Sequence, residues 1–177
     1  MVEENIVSTS ISTSHDIDAL IAAMANDHGL ARLKARQALV AMKGNAVAPL
    51  VAALQHREWR IRWGAAKAHG QIGDPSAADA LIKSLEDEQP GVRWLAAEAL
   101  IALRPTGLHA LLEALVHQSD SLWLRGGAHH IIHDIVEKDP DLSHVLAPVA
   151  AALDDVEPVI GVPPAAQAAL RQLTGKA

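Results

Sequence analysis

The chain has 177 residues, half of them apolar and a fifth charged, a balance typical of a folded domain. It contains no cysteine, which excludes disulfides, thiol catalysis and thiolate metal sites, and its formal net charge of −6 disfavours general binding to nucleic-acid phosphates. The chain has four tryptophans but neither phenylalanine nor tyrosine, so small and branched aliphatic side chains have to fill the core. This composition favours closely packed helices over a β-sandwich.

Residues 1–13 are rich in serine and threonine, and we predict a flexible tail there. Glu3 and Glu4 stand where a secretory signal carries positive charge. No run of about 18 apolar residues occurs in the sequence, which disfavours a membrane span. We therefore expect a cytoplasmic protein that does not bind membranes.

Helical periodicity begins after this tail. A capping helix is predicted over residues 14–25 from the apolar stripe of Ile17, Leu20, Ile21 and Met24. Four helix pairs are predicted to follow, over residues 28–55, 58–86, 90–117 and 121–153, with Gly, Pro, Asp or Asn in each turn. In the first pair, Gly44 is expected to take the left-handed conformation that ends a helix. A second capping helix over residues 162–174 completes one predicted domain, residues 14–177.

One helix sequence recurs through the chain. Its clearest copy is GVRWLAAEALI, residues 91–101, and an arginine near its start aligns the copies. The aligned arginines, which we call the arginine ladder, are Arg32, Arg62, Arg93 and Arg125, at steps of 30, 31 and 32 residues. A period of this size indicates a solenoid, in which each unit buries its apolar face against its neighbours. The final capping helix has Pro163 at the aligned position.

The repeated pattern Val-Arg-x-x-Ala-Ala-x-Ala-Leu of residues 92–100, the Gly-Asp-Pro turn of residues 73–75 and the leucine-rich second helices resemble HEAT-like repeats. The resemblance is to the type described in phycobilisome lyases and to bacterial HEAT-repeat proteins of unassigned role, and it covers residues 16–175. It implies an all-α, right-handed α-solenoid whose first helices form the convex face and whose second helices line the concave one. Such repeats serve scaffolds, regulators and a few enzymes, so the resemblance specifies fold more than function.

The outward positions of the second helices predict a binding surface of mixed charge. Its residues are Ala52, Gln55, Asp79, Lys83, His109 and Glu113. Such a surface suits a protein or peptide partner better than a polyanion. The sequence has no phosphate loop, nucleophile elbow or cofactor motif. We therefore predict a protein-interaction scaffold with no cofactor, no catalysis and no nucleic-acid partner, and weak self-association through the ends of the solenoid.

The histidine-rich segment of residues 129–134 offers the alternative. His129 and His133 are one helical turn apart, a spacing that lets two imidazoles bind one metal ion. His130 and Asp134 have the same spacing, in which the carboxylate can orient the histidine. A stable site needs a third ligand, which the sequence cannot place. The repeat register puts His129 where Ala66 and Ala97 stand, facing the packed interior, so we prefer a structural role. A metal-dependent or lyase-like enzyme, or a small-ligand binder, is the alternative function.

We interpret the arginine ladder as structural as well. A guanidinium at the start of each first helix can bind carbonyls or carboxylates of the preceding unit. Each tryptophan lies within three residues of a ladder arginine, and we expect the indoles to cover the seams between first helices. His69 takes a core position that Leu39 and Leu100 hold in other repeats, and we expect its ring to be hydrogen-bonded there.

Overall fold

The computed structural model describes residues 16–175, and every regular element in this range is helical. The predicted tail, residues 1–13, lies outside the described residues. The described part of the first helix, α1, covers residues 16–23. The later helices are α2 (Gly29–Ala41), α3 (Gly44–Ala53), α4 (Trp59–Ile72), α5 (Ala78–Ser84), α6 (Pro90–Ala102), α7 (Thr106–His117), α8 (Leu122–Lys138), α9 (Pro140–Leu153) and α10 (Pro158–Thr174), with a 3-10 turn at Pro75–Ala77. No helix among residues 16–175 has the length and hydropathy needed to cross a membrane.

The helices stack in two layers. The first helices α2, α4, α6 and α8 pack in sequence, each on the next, while α5 packs against α7 in the layer of second helices. Alanines let the first helices approach closely, and the buried set at one register is Ala35, Ala65, Ala96 and Ala128. Leucines fill the space between the layers, and the buried pairs are Leu50/Leu54, Leu81/Leu85 and Leu111/Leu115. Truncating one such leucine to alanine costs about 2–5 kcal/mol. The prediction of an all-α solenoid is confirmed.

The N-terminal end of the stack is covered by the segment that follows α1. Met24 is buried there, and its sulfur occupies the space beside Gly64 on α4. A Cβ at Gly64 would lie 2.6 Å from the Met24 Sδ atom, closer than side chains pack. The Met24 side chain can therefore pack against α4 in this way only because residue 64 is a glycine.

The turns of the first and second pairs differ in which residue takes positive φ. In the second pair, Gly73 ends α4 at φ 73°, and the Asp74 side chain accepts a hydrogen bond from the Ser76 backbone N–H. In the first pair, the expected role of Gly44 is wrong. The residue with positive φ is Lys43, at φ 49°, and Gly44 already begins α3. Only two residues separate α2 from α3, so the chain has to reverse one residue earlier than the glycine.

The C-terminal end departs from the repeat. Only Asp139 separates α8 from α9, and its side chain accepts a hydrogen bond from the Leu142 N–H, at 3.3 Å. The last helix begins at Pro158, four residues before the predicted start, and it packs against α7 and α9 with no comparable contact to α8. Its buried stripe consists of Val162, Ala166, Ala169 and Leu170. The alignment of Pro163 with the ladder arginines had suggested that this helix extends the layer of first helices. Its packing shows that it does not.

Candidate functional site

The arginine ladder binds the loops between pairs. Each ladder Nη1 atom donates to backbone carbonyls five or six residues earlier. The acceptors are Asn26 and Asp27 for Arg32, His56 and Arg57 for Arg62, Asp87 and Glu88 for Arg93, and Ser119 for Arg125. Arg62 also pairs with the Asp87 carboxylate, at 2.6 Å and 3.0 Å, and this hydrogen bonding raises the pKa of Arg62. The guanidinium groups are therefore hydrogen-bonded to the loops that join one repeat to the next.

The predicted binding surface lies on the second helices. All six of its residues are exposed, on α3, α5 and α7 or directly after them. The structure brings three of them, Asp79, Lys83 and Glu113, to one groove of about 470 Å³ between α5 and α7, which Glu86 also lines. Three carboxylates thus face one lysine, so the groove is acidic. The remaining predicted residues, Ala52, Gln55 and His109, do not line this groove.

The large exposed apolar side chains lie elsewhere. Six of them belong to the first helices, and we call this set the tryptophan edge: Leu30, Leu33, Trp59, Trp94, Leu122 and Trp123. Four others surround the start and end of α10: Val156, Val159, Ile160 and Leu173. Within residues 16–175, none lies on α3, α5, α7 or α9. The layer of first helices therefore exposes the apolar side chains that the predicted surface lacks.

The indoles touch neighbouring repeats and still face solvent. Trp94 stacks on His130 with ring centroids 4.3 Å apart, and the Arg93 guanidinium lies 4.8 Å from the ring centroid of Trp123. Yet Trp59, Trp94 and Trp123 remain 41%, 55% and 44% exposed. Sequence spacing could place these residues at the seams, but it could not tell how far the neighbouring helices would cover them.

A pocket of about 410 Å³ opens between α2 and α4 at one end of the edge. Trp59, Trp63 and Leu33 line it together with three arginines, Arg32, Arg36 and Arg60. Sequence reasoning missed this pocket, because its volume depends on the distance between two helices and not on a motif.

Arg36 is the unusual member of this pocket. It is only 8% exposed, its Nε atom has no hydrogen-bond partner among the described residues, and its guanidinium carbon lies 5.5 Å from the Trp63 ring centroid. Burial lowers the pKa of Arg36. Arg60, by contrast, pairs with Glu58 at 3.4 Å. The pocket therefore has aromatic walls and a largely buried arginine that no carboxylate of residues 16–175 pairs with.

The histidine segment gathers a third group. Asp154, at the end of α9, places one carboxylate oxygen 2.9 Å from His129 Nε2 and the other 3.3 Å from His133 Nε2. The two imidazole centroids are 4.3 Å apart. One ligand atom from each of the three residues lies within 4.8 Å of the others. Sequence reasoning missed Asp154, because it is 25 residues from His129 and directly follows another helix.

Two expectations for this segment are wrong. His129 is exposed instead of facing the interior, because α10 packs against α7 and α9 and leaves this face of α8 uncovered. His130 does not pair with Asp134. Its Nε2 atom lies 2.7 Å from Glu98 Oε1, while Asp134 binds Lys138.

A family model of HEAT repeats matches residues 17–101 and again residues 47–132, together more than half of the chain. The chain belongs to the HEAT-repeat family. No curated protein sequence matches it. The matches to the HEAT-repeat family end at residue 132, inside α8, so α9 and α10, whose packing departs from the repeat, lie beyond them. HEAT repeats are generally protein-interaction scaffolds. The finer resemblance to the phycobilisome-lyase type and the cytoplasmic location stay predictions.

Proposed function

We propose that this HEAT-repeat protein is a protein-interaction module whose partner binds at the tryptophan edge. The observation that supports the proposal is the distribution of exposed apolar side chains, which favours the first helices over the second ones. Tryptophan and arginine are the residues most enriched at the centres of protein interfaces, where they contribute much of the binding energy. Here they alternate along one edge, with Arg60 beside Trp59 and Arg93 beside Trp123.

The pocket between α2 and α4 indicates the chemistry of the partner. Arg36 is only 8% exposed, its buried Nε atom has no hydrogen-bond partner, and no carboxylate among the described residues pairs with it, so a bound anion would lower the cost of this burial. A partner segment that carries a carboxylate or a phosphate next to an apolar side chain would supply an anion for Arg36 and an apolar contact for the indoles. The apolar side chain would lie against Trp59 and Trp63, and the anion would pair with Arg36. We therefore propose an acidic, apolar peptide segment as the partner.

The predicted surface on the second helices is the competing site. Its groove between α5 and α7 is acidic, with Asp79, Glu86 and Glu113 around Lys83, and would suit a basic partner. Among the described residues that line it, none is a large exposed apolar side chain. Because apolar and aromatic contacts supply most of the affinity of protein interfaces, we favour the tryptophan edge.

Peptide selection tests the proposal. A random peptide library is displayed and selected on the wild-type protein, and selected peptides are then titrated against two triple variants. The edge variant is Trp59→Ser/Trp94→Ser/Trp123→Ser, and the matched control on the second helices is Asp79→Ala/Lys83→Ala/Glu113→Ala. All six side chains are exposed, so both variants should keep the helical circular dichroism of the wild type. The three indoles are also about half buried against neighbouring helices, so the edge variant should have a lower urea midpoint, and the peptide titrations are made without urea, under conditions in which both variants are fully folded.

We expect the selected peptides to carry Asp or Glu beside an apolar residue. Their affinity should fall at least about thirty-fold in the edge variant, the effect of losing about 2 kcal/mol of interface contacts, and should change little in the control. Arg36→Gln should weaken acidic peptides more than versions with Asn and Gln in place of the acids. Basic peptides that bind the edge variant normally and lose affinity in the control would overturn the proposal in favour of the second helices.

A further inference from the structure

We propose that His129, His133 and Asp154 form a binding site for a divalent transition-metal ion of the Zn²⁺ class. The site lies where the middle of α8 meets the C-terminal end of α9. This inference goes beyond the proposed function and is independent of the tryptophan edge, because it uses none of the same residues.

The distances fit one small cation. Zinc binds imidazole nitrogen at about 2.0–2.1 Å and carboxylate oxygen at about 2.0–2.2 Å, so neighbouring ligand atoms of a tetrahedral site lie about 3.3 Å apart. In the structure, His129 Nε2 is 2.9 Å from Asp154 Oδ1, and His133 Nε2 is 3.3 Å from Asp154 Oδ2. One ligand atom from each of the three residues lies within 4.8 Å of the other two. A cation between them therefore requires only small side-chain rotations.

The environment of His133 is a second, independent sign of a ligand. Its Nε2 atom has no solvent-accessible surface and no hydrogen-bond partner among the described residues. The nearest carboxylate oxygen, on Asp154, is at ion-pair distance but not in hydrogen-bond geometry. A ring nitrogen that is shielded from water and unbonded is costly. A metal ion between the nitrogen and the carboxylate would give both atoms a partner.

The donor set selects the class of metal. Two imidazoles and one carboxylate suit Zn²⁺ and its neighbours Ni²⁺ and Cu²⁺, whereas Mg²⁺ and Ca²⁺ prefer oxygen ligands alone. The three side chains are about half exposed, so water can complete the coordination. The ion would link two helices at the end of the domain where the repeat becomes irregular. Binding should therefore raise the thermal stability of the protein.

The test uses the full chain without a histidine tag, freed of metal with a chelator. Zn²⁺ is titrated by calorimetry, and Co²⁺ is added as a spectroscopic probe whose visible absorption reports nitrogen and oxygen coordination. The variants are His129→Ala, His133→Ala and Asp154→Asn. His130→Ala is the matched control, because His130 is on the same helix but its ring binds Glu98 and stacks on Trp94. The urea midpoint of each variant, measured with chelator present, reports whether the fold is intact.

We expect one Zn²⁺ per wild-type chain, a raised melting temperature with Zn²⁺, and no binding of Mg²⁺ or Ca²⁺. Each of the three ligand variants should lose at least about tenfold in Zn²⁺ affinity, while His130→Ala should bind as the wild type does. Two results would overturn the proposal: the absence of Zn²⁺ heat and Co²⁺ absorption in the wild type, or equal Zn²⁺ affinity in His133→Ala and His130→Ala. Failure of the peptide experiment leaves these outcomes unaffected.

Discussion

The interior and terminal repeats differ in the residue that stands four positions after the ladder arginine: it is a buried alanine in the interior and a polar residue at the two ends. Four residues after each ladder arginine stand, in chain order, Arg36, Ala66, Ala97 and His129. The two interior alanines are buried, because α4 and α6 are covered by first helices on both sides. The terminal positions hold Arg36 beside a pocket and His129 beside Asp154. At this position, polar side chains therefore occur only at the two ends of the stack, where the neighbouring helices leave space for the pocket at Arg36 and for the contact between His129 and Asp154.

The position one turn later differs between the second and the fourth repeat. In the second repeat it is Gly70, where a Cβ would lie 3.3 Å from the Ala99 Cα of α6. In the fourth repeat it is His133, whose ring instead approaches Asp154. Close helix contact thus permits only the smallest residues in the second repeat, whereas the uncovered face of α8 accommodates two imidazoles.

The largest expected effect comes from moving a terminal residue into the interior. Ala66→His places an imidazole at the position of His129 but under the tightly packed α6. Overpacking costs about 1–3 kcal/mol, and burial of an unpaired polar ring adds to it, so we expect the free energy of unfolding to fall by about 3 kcal/mol or more. Urea denaturation measures the change. The reverse variant, His129→Ala, should stay within about 0.5 kcal/mol of wild type with chelator present, and equal effects in the two would contradict the comparison.

His69 is the exception among the interior residues and provides the next prediction. Its ring is fully buried, and neither nitrogen makes a hydrogen bond of good geometry to the described residues; the Leu50 backbone offsets only part of the cost of burial, so the well-bonded core histidine that we expected is not formed. The equivalent residues in other repeats include Leu39 and Leu100, both buried. His69→Leu should therefore raise the free energy of unfolding by about 1–3 kcal/mol, the cost of an unsatisfied polar group. A lower urea midpoint would show that the leucine does not fit.

The same residue should make stability depend on pH. Burial lowers the pKa of His69 in the folded protein, opposed in part by the Leu50 backbone and the Asp74 charge. As the pH falls through about 6.5, the unfolded chain takes up this proton first, so the folded state loses stability between pH 7 and the lowered pKa. His69→Leu should remove this part of the decline. An identical pH dependence of the urea midpoint in both proteins would contradict the assignment.

The fold could be predicted well from the sequence, because the repeats can be aligned with one another within a single chain. The ladder arginines and the Ala-Ala-x-Ala-Leu pattern identified the first helices, and the leucine pairs identified the second ones. The candidate sites followed less well. Asp154 meets His129 only because α10 packs away from α8, and the pocket at Arg36 depends on the spacing of α2 and α4. Both depend on distances between separate helices, which the periodicity within one helix does not encode.

The smallest expected effect concerns the turn of the first pair, which differs from the interior turn in the residue that takes positive φ. Gly73 does so in the second pair, without a steric penalty, whereas Lys43 does so in the first at φ 49° and ψ −126°. Relief of this backbone strain would stabilise Lys43→Gly by about 1–3 kcal/mol, while the greater freedom of glycine in the unfolded chain offsets about 0.5–1 kcal/mol. We expect a net gain of about 1 kcal/mol, near the middle of the range of about 0–2.5 kcal/mol that the two effects allow, measured as a higher urea midpoint.

The matched change in the interior turn is Gly73→Lys, which places a side chain at a residue with φ 73° and ψ 23°, in the left-handed region, whereas Lys43 lies at φ 49° and ψ −126°. This substitution should lower the free energy of unfolding by about 1 kcal/mol, since a non-glycine residue pays that much for the left-handed region. Opposite signs for the two substitutions would tie the difference between the turns to backbone conformation, because both turns are exposed and neither residue packs in the core. A loss of stability in Lys43→Gly would instead mean that the lysine side chain contributes contacts that outweigh its strain.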